Sequence, residues 1–168
     1  MMYHTEYADN GMQKMSALPV RQGNLFFGKF VIAALVLSAM VVLETAVLAG
    51  CAEYWFPGYA FDRAEAVKTA GFQIAVTLPT VMLMLVIASA CRNMWISLGI
   101  GVILVFTLSV FPQDNEVLSL FPFASPYQTF AAAAENGRAL LFVTACGIET
   151  VLLGIAEVIY LKVRRWSA

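Results

Sequence analysis

Residues 30 to 50 read FVIAALVLSAMVVLETAVLAG, twenty-one positions with one ionisable side chain, Glu44. A run of this length and apolarity is what a helix needs to cross about 30 Å of hydrocarbon at about 1.5 Å per residue. Three more runs follow, Thr69 to Cys91, Met94 to Phe111 and Ala139 to Leu161. Together the four occupy half of the 168 residues yet hold only three of the 21 charges, Glu44, Glu149 and Glu157. Backbone in lipid must satisfy its own N–H and C=O groups, and none of the runs has the two-residue alternation of a barrel strand, so helices are expected. The fold class predicted is all-α: a polytopic integral membrane protein with four transmembrane helices and a re-entrant or interfacial outer segment.

Composition agrees with this reading. Apolar side chains make up 61% and charged ones 12%, against about 45–50% and 25% in soluble proteins. Twenty-one charges cannot clothe a soluble domain of this size, which excludes a cytoplasmic enzyme or a secreted domain. A net charge of −1 excludes a nucleic-acid partner, which calls for a basic face. Cys51, Cys91 and Cys146 fall at separated depths, so no intramolecular disulfide is expected. With one histidine, His4 in a polar tail, and no CxxC or HExxH pattern, neither a metal site nor another cofactor is expected.

Orientation follows from the basic residues, because positively charged short loops stay cytoplasmic. With both termini inside, Lys14, Arg21, Lys29, Arg92, Lys162, Arg164 and Arg165 are cytoplasmic, against Arg63, Lys68 and Arg138 outside. The expected location is the cell membrane, with residues 1–29 as a cytoplasmic tail and 30–168 as the transmembrane domain. The first apolar run, from Leu25, is too long for the h-region of a signal peptide.

Two connecting stretches carry more than linkage. In the tail, Met12, Met15 and Leu18 recur at helical spacing beside Gln13, Lys14 and Ser16, and Pro19 ends the pattern. Such an amphipathic helix lies at the cytoplasmic interface, either to dock a partner or simply as an anchor. Between spans three and four, residues 112–137 form an outer segment, apolar from Val117 to Ala134 but broken by Pro122 and Pro126. Two short helical pieces dipping into the outer interface are expected, with Phe121, Phe123, Tyr127 and Phe130 at headgroup depth. Re-entrant backbone survives only under a cover of protein, whereas a plain aromatic interfacial loop needs none.

Ionisable groups inside the membrane cost about 2.5–3.5 kcal/mol each on insertion scales. Glu149 lies near the bilayer centre, about 15 Å beyond Ala139, and Glu44 about 9 Å from Gly50. Glu149 either is held structurally, protonated or bonded to Thr or Ser across a helix interface, or serves a proton-linked transport step. Glu157, close to Leu161, is expected to snorkel toward Arg92 or the Lys162 to Arg165 cluster. Ser97, Gly99, Gly101, Gly147 and Gly154 are small enough for helices to approach closely. Pro79 interrupts span two and frees the Ala75 carbonyl for Thr77, Thr80 or a neighbour.

The stretch SALPVRQGNLFFGKF, residues 16 to 30, resembles the cytoplasmic segment of type 2 ABC transporter permeases, with Leu18, Pro19, Val20, Arg21 and Lys29 matching its proline turn and following lysine. RNMWISLGIGVILVF (Arg92 to Phe106) and LFPFASPYQTF (Leu120 to Phe130) resemble the fifth helix and the proline-aromatic outer segment of the bacteriocin and lantibiotic immunity branch. The resemblance implies a permease subunit that binds a separate ABC ATPase and pairs with a second permease subunit to move an amphipathic peptide outward. By analogy Met15, Leu18, Pro19, Val20 and Arg21 belong to the coupling helix that meets the ATPase, and Pro122, Phe123, Pro126 and Tyr127 to the outer re-entrant segment. Family members usually have six spans; this chain starts where the third would, so the first two are expected from elsewhere or are missing from a fragment. There is no Walker A glycine run, so ATP hydrolysis is assigned to a partner and the chain is not expected to be an enzyme. Two other readings stand beside this one: a small ion- or proton-coupled transporter working through Glu149 and Glu44, and a non-transporting membrane scaffold.

Overall fold

A computed structural model describes residues 22–56, 62–91, 93–110 and 119–166. They form α1 (Gln22–Trp55), α2 (Arg63–Ala90), α3 (Met94–Val110), a 3₁₀ turn (Ser125–Tyr127), a short α4 (Phe130–Glu135) and α5 (Ala139–Trp166). The chain is an all-helical polytopic membrane protein. Among the described residues three helices are long and apolar enough to cross a bilayer, and a further apolar helix, α3, has 17 residues. At about 1.5 Å per residue α3 is about 25 Å long, a little under the hydrocarbon thickness.

The helices run past the apolar stretches that announce them. α1 starts at Gln22 rather than Phe30 and ends at Trp55 rather than Gly50; α2 starts at Arg63 rather than Thr69. Apolarity marks what hydrocarbon covers, whereas a helix ends where a cap satisfies its terminal groups. Asp62 caps α2, its side chain accepting from the Ala64 N–H at 2.8 Å. Asn93 does the same for α3 through the Trp95 N–H at 3.0 Å.

α2 is the central element. α5, α1, α3 and the segment around the 3₁₀ turn all pack on it. α1 is peripheral, and its most apolar stretch contains no buried residue. Of the small residues that spacing singles out, Ser97 and Gly101 are both buried on α3. A Cβ on Gly101 would lie 2.6 Å from Met84 Cε and 2.8 Å from its Sδ, so the bare backbone of α3 rests against α2. Gly154 similarly faces Met82 and Phe27, whereas Gly99 and Gly147 face open space and bring no helices together.

Gly137 makes the turn into α5. Its φ of 65° is left-handed, its N–H bonds the Ala134 carbonyl and the Arg138 N–H bonds that of Ala133. This pair of bonds ends α4 as a Schellman motif, in which a side chain at the glycine position is strained.

Candidate functional site

The segment from Ser119 to Gly137 doubles back into the bundle and lies against α2 at the level of Pro79. Proline has no N–H to donate, so Pro79 frees the Ala75 carbonyl of α2, but the bonds to the docked segment use other groups. The Ser125 hydroxyl donates to the Val76 carbonyl at 2.8 Å and more weakly to that of Pro122 at 3.3 Å. The Thr80 hydroxyl donates to the Pro122 carbonyl, and the Gln73 amide nitrogen donates to that of Pro126 at 3.2 Å. Thr77 instead turns back onto the carbonyls of Gln73 and Ile74 in its own helix. Thr80 lies about 16 Å beyond Thr69 along the helix axis, a depth at which irregular backbone must be covered and bonded by protein.

Side-chain burial corrects one expectation. Phe123 does not turn its ring outward to lipid or headgroups: it is 2% exposed and packs with Leu108 and Ala124 against Leu83, Met84 and Ile87. Pro122 is buried and Pro126 half-buried. Phe130 turns inward against Phe72, ring centroids 5.8 Å apart, beside Val76, Ala133, Phe142 and Cys146. Of the rings in this segment only Phe121 and Tyr127 present large exposed surface. Burying these rings against helices removes more apolar area from water than resting them at an interface, which explains the inward turn.

Cys146 of α5 is fully buried in the same cluster as Val76, the residue whose carbonyl Ser125 bonds. One turn further on is Glu149, whose Oε2 is buried and has no hydrogen-bond partner among the described residues. The expected bond from Glu149 to a Thr or Ser across a helix interface is therefore absent for that oxygen. Glu157 is 1% exposed, its Oε1 accepting from the Ser89 hydroxyl of α2 at 2.5 Å; Arg92 and the side chains of Arg164 and Arg165, toward which it was expected to reach, lie outside the described residues. The stripe Phe142, Cys146, Gly154 and Glu157 is the buried face of α5, and facing α2 brings Glu157 within reach of Ser89. Glu44 stands apart, exposed on peripheral α1.

Pro122, Phe123, Pro126 and, through Cys146, Glu149 thus belong to one neighbourhood around the middle of α2, while Glu44 and Glu157 do not. Met15, Leu18, Pro19, Val20 and Arg21 lie outside the described residues. Gln73, Ser125, Ser89 and Cys146 were not anticipated as site residues. Its place four residues before Thr77 and seven before Thr80, on one face of the helix, was the available signal for Gln73. All three cysteines are free thiols. Among the described residues no group of three or more His, Cys, Asp or Glu side chains is placed to hold a metal ion.

A family model described as ABC-2 family transporter protein matches residues 1–108, nearly two thirds of the chain. The match ends within α3, so the segment docked on α2 and the whole of α5 lie beyond it. No curated protein and no solved structure matches the chain significantly.

Proposed function

The chain belongs to the ABC-2 family of transporter proteins, a permease component of an ABC transporter, and we propose that it serves an exporter, moving an antimicrobial peptide or similar amphipathic substrate outward with energy from a separate ATPase. The family match over residues 1–108 carries the proposal. The apolar bundle supports it, since it offers helices to cross the membrane and the sequence has no glycine-rich phosphate loop of its own. In this reading both termini are cytoplasmic, a second permease subunit completes the path, and Met15, Leu18, Pro19, Val20 and Arg21 meet the ATPase. The lantibiotic immunity branch is favoured by the LFPFASPYQTF resemblance.

Co-expression with the neighbouring ATPase gene tests this. A complex is expected to co-purify, and replacing Leu18 and Val20 by Asp is expected to disperse it. A complex that survives the double substitution removes the coupling assignment. The buried, unpartnered Oε2 of Glu149 favours one other reading, an ion- or proton-coupled transporter. There, Glu149→Gln abolishes substrate movement in vesicles that contain no ATPase; movement that depends on the ATPase and persists in Glu149→Gln rejects it.

A further inference from the structure

We propose that the cleft between α1 and α2 binds one phospholipid with an amine-bearing zwitterionic headgroup, an acyl chain in the cleft and the headgroup on Arg63 and Glu53. The cleft encloses about 640 Å³, within the range of about 300–1,000 Å³ of small-molecule sites. Its walls are apolar and mostly small, among them Val42, Ala46 and Gly50 of α1 facing Ala70, Gly71 and Ile74 of α2. The space is real on both sides, because a Cβ added to Gly50 or Gly71 meets nothing within 4 Å.

Charge is confined to the mouth. Arg63 Nη2 and Glu53 Oε1 are 3.1 Å apart, with side chains 84% and 51% exposed. An exposed pair of this kind contributes little to stability, so re-pairing each partner with a ligand costs little. The guanidinium fork matches a phosphate in bidentate fashion, and the carboxylate matches an ammonium. A headgroup carrying both charges complements the pair; a purely anionic one faces Glu53 as a like charge. Tyr54, Trp55 and Phe56, all largely exposed beside the mouth, form the aromatic cluster that marks headgroup depth. Phosphate and acyl chain therefore arrive at Arg63 and the cleft together. The site is independent of the export reading, and loss of ATPase binding leaves it untouched.

Native mass spectrometry of the purified full chain, titrated with phosphatidylethanolamine, phosphatidylglycerol or diacylglycerol, tests the site. The wild type is expected to retain one phosphatidylethanolamine at least tenfold more tightly than either of the others. Arg63→Gln is expected to erase that preference. Gly71→Leu, which fills the cleft while improving helix propensity, is expected to weaken retention about tenfold. Gly99→Leu, at an equally open glycine on α3 away from the cleft, is expected to leave retention unchanged and so controls for folding. Equal retention of the three lipids would mean an unselective annulus and overturn the proposal. So would full retention in Gly71→Leu, an unchanged preference in Arg63→Gln, or a second copy of the chain in place of lipid.

Discussion

Removing the hydroxyls that hold segment 119–137 on α2 should open it measurably, and Cys146 is positioned to report the opening. The Pro122 carbonyl receives both Thr80 and Ser125, and the Val76 carbonyl receives Ser125. In Thr80→Val the Pro122 oxygen keeps its weaker bond; in Ser125→Ala it keeps its stronger one. Each single change is expected to cost about 1 kcal/mol, between the averages for interhelical bonds in membranes and for hydrogen bonds in general. In the double variant the Pro122 oxygen is buried with neither donor, which adds about 0.5–1 kcal/mol of coupling to the sum. A total of about 2.5–3 kcal/mol raises the open population about 100-fold, at about 1.4 kcal/mol per decade. Cys146 is fully buried in the cluster that holds Val76, the acceptor of Ser125, so in a Cys51→Ser/Cys91→Ser background its labelling by a small uncharged maleimide tracks that population. The singles should label about fivefold faster than the parent and the double about 100-fold faster. Strictly additive singles, or unchanged labelling in a folded double variant, would refute the shared-acceptor arrangement.

Gly101→Leu should lower the Tm in detergent, because a side chain there collides with the Met84 thioether and overpacking costs about 1–3 kcal/mol; Met84→Ala should recover much of the loss. Ser89→Ala removes a donor from the buried Glu157 carboxyl and should also lower the Tm, whereas Glu157→Gln keeps an acceptor facing Ser89 and should lower it less. Gly137→Ala places a Cβ at φ 65° and should cost about 1 kcal/mol, seen as a Tm shift without change in helix content by circular dichroism.

The helices were legible in the sequence because hydrocarbon imposes a length and a composition that few other environments demand, and Phe30 to Gly50 meets both. Their ends were not, since Asp62 and Asn93 cap through local bonds that apolarity does not register. Pro122 and Pro126 announced that segment 119–137 leaves the regular path. The inward turn of Phe123 was hidden because an aromatic ring suits headgroups and core equally well. Ser125 and Gln73 escaped notice because their acceptors lie some fifty positions away along the chain, and local pattern carries no such information. Glu157 shares the helical stripe of Phe142, Cys146 and Gly154, a periodicity that places it on the buried face of α5.

The contact between Met84 and Gly101 has a chemical consequence. A thioether pressed against naked main chain has no room for another oxygen, so an oxidant that converts Met84 to its sulfoxide enlarges and polarises a side chain packed between α2 and the 17-residue α3. The short rod must then tilt away, and a methionine sulfoxide reductase that reaches it lets the two seat again.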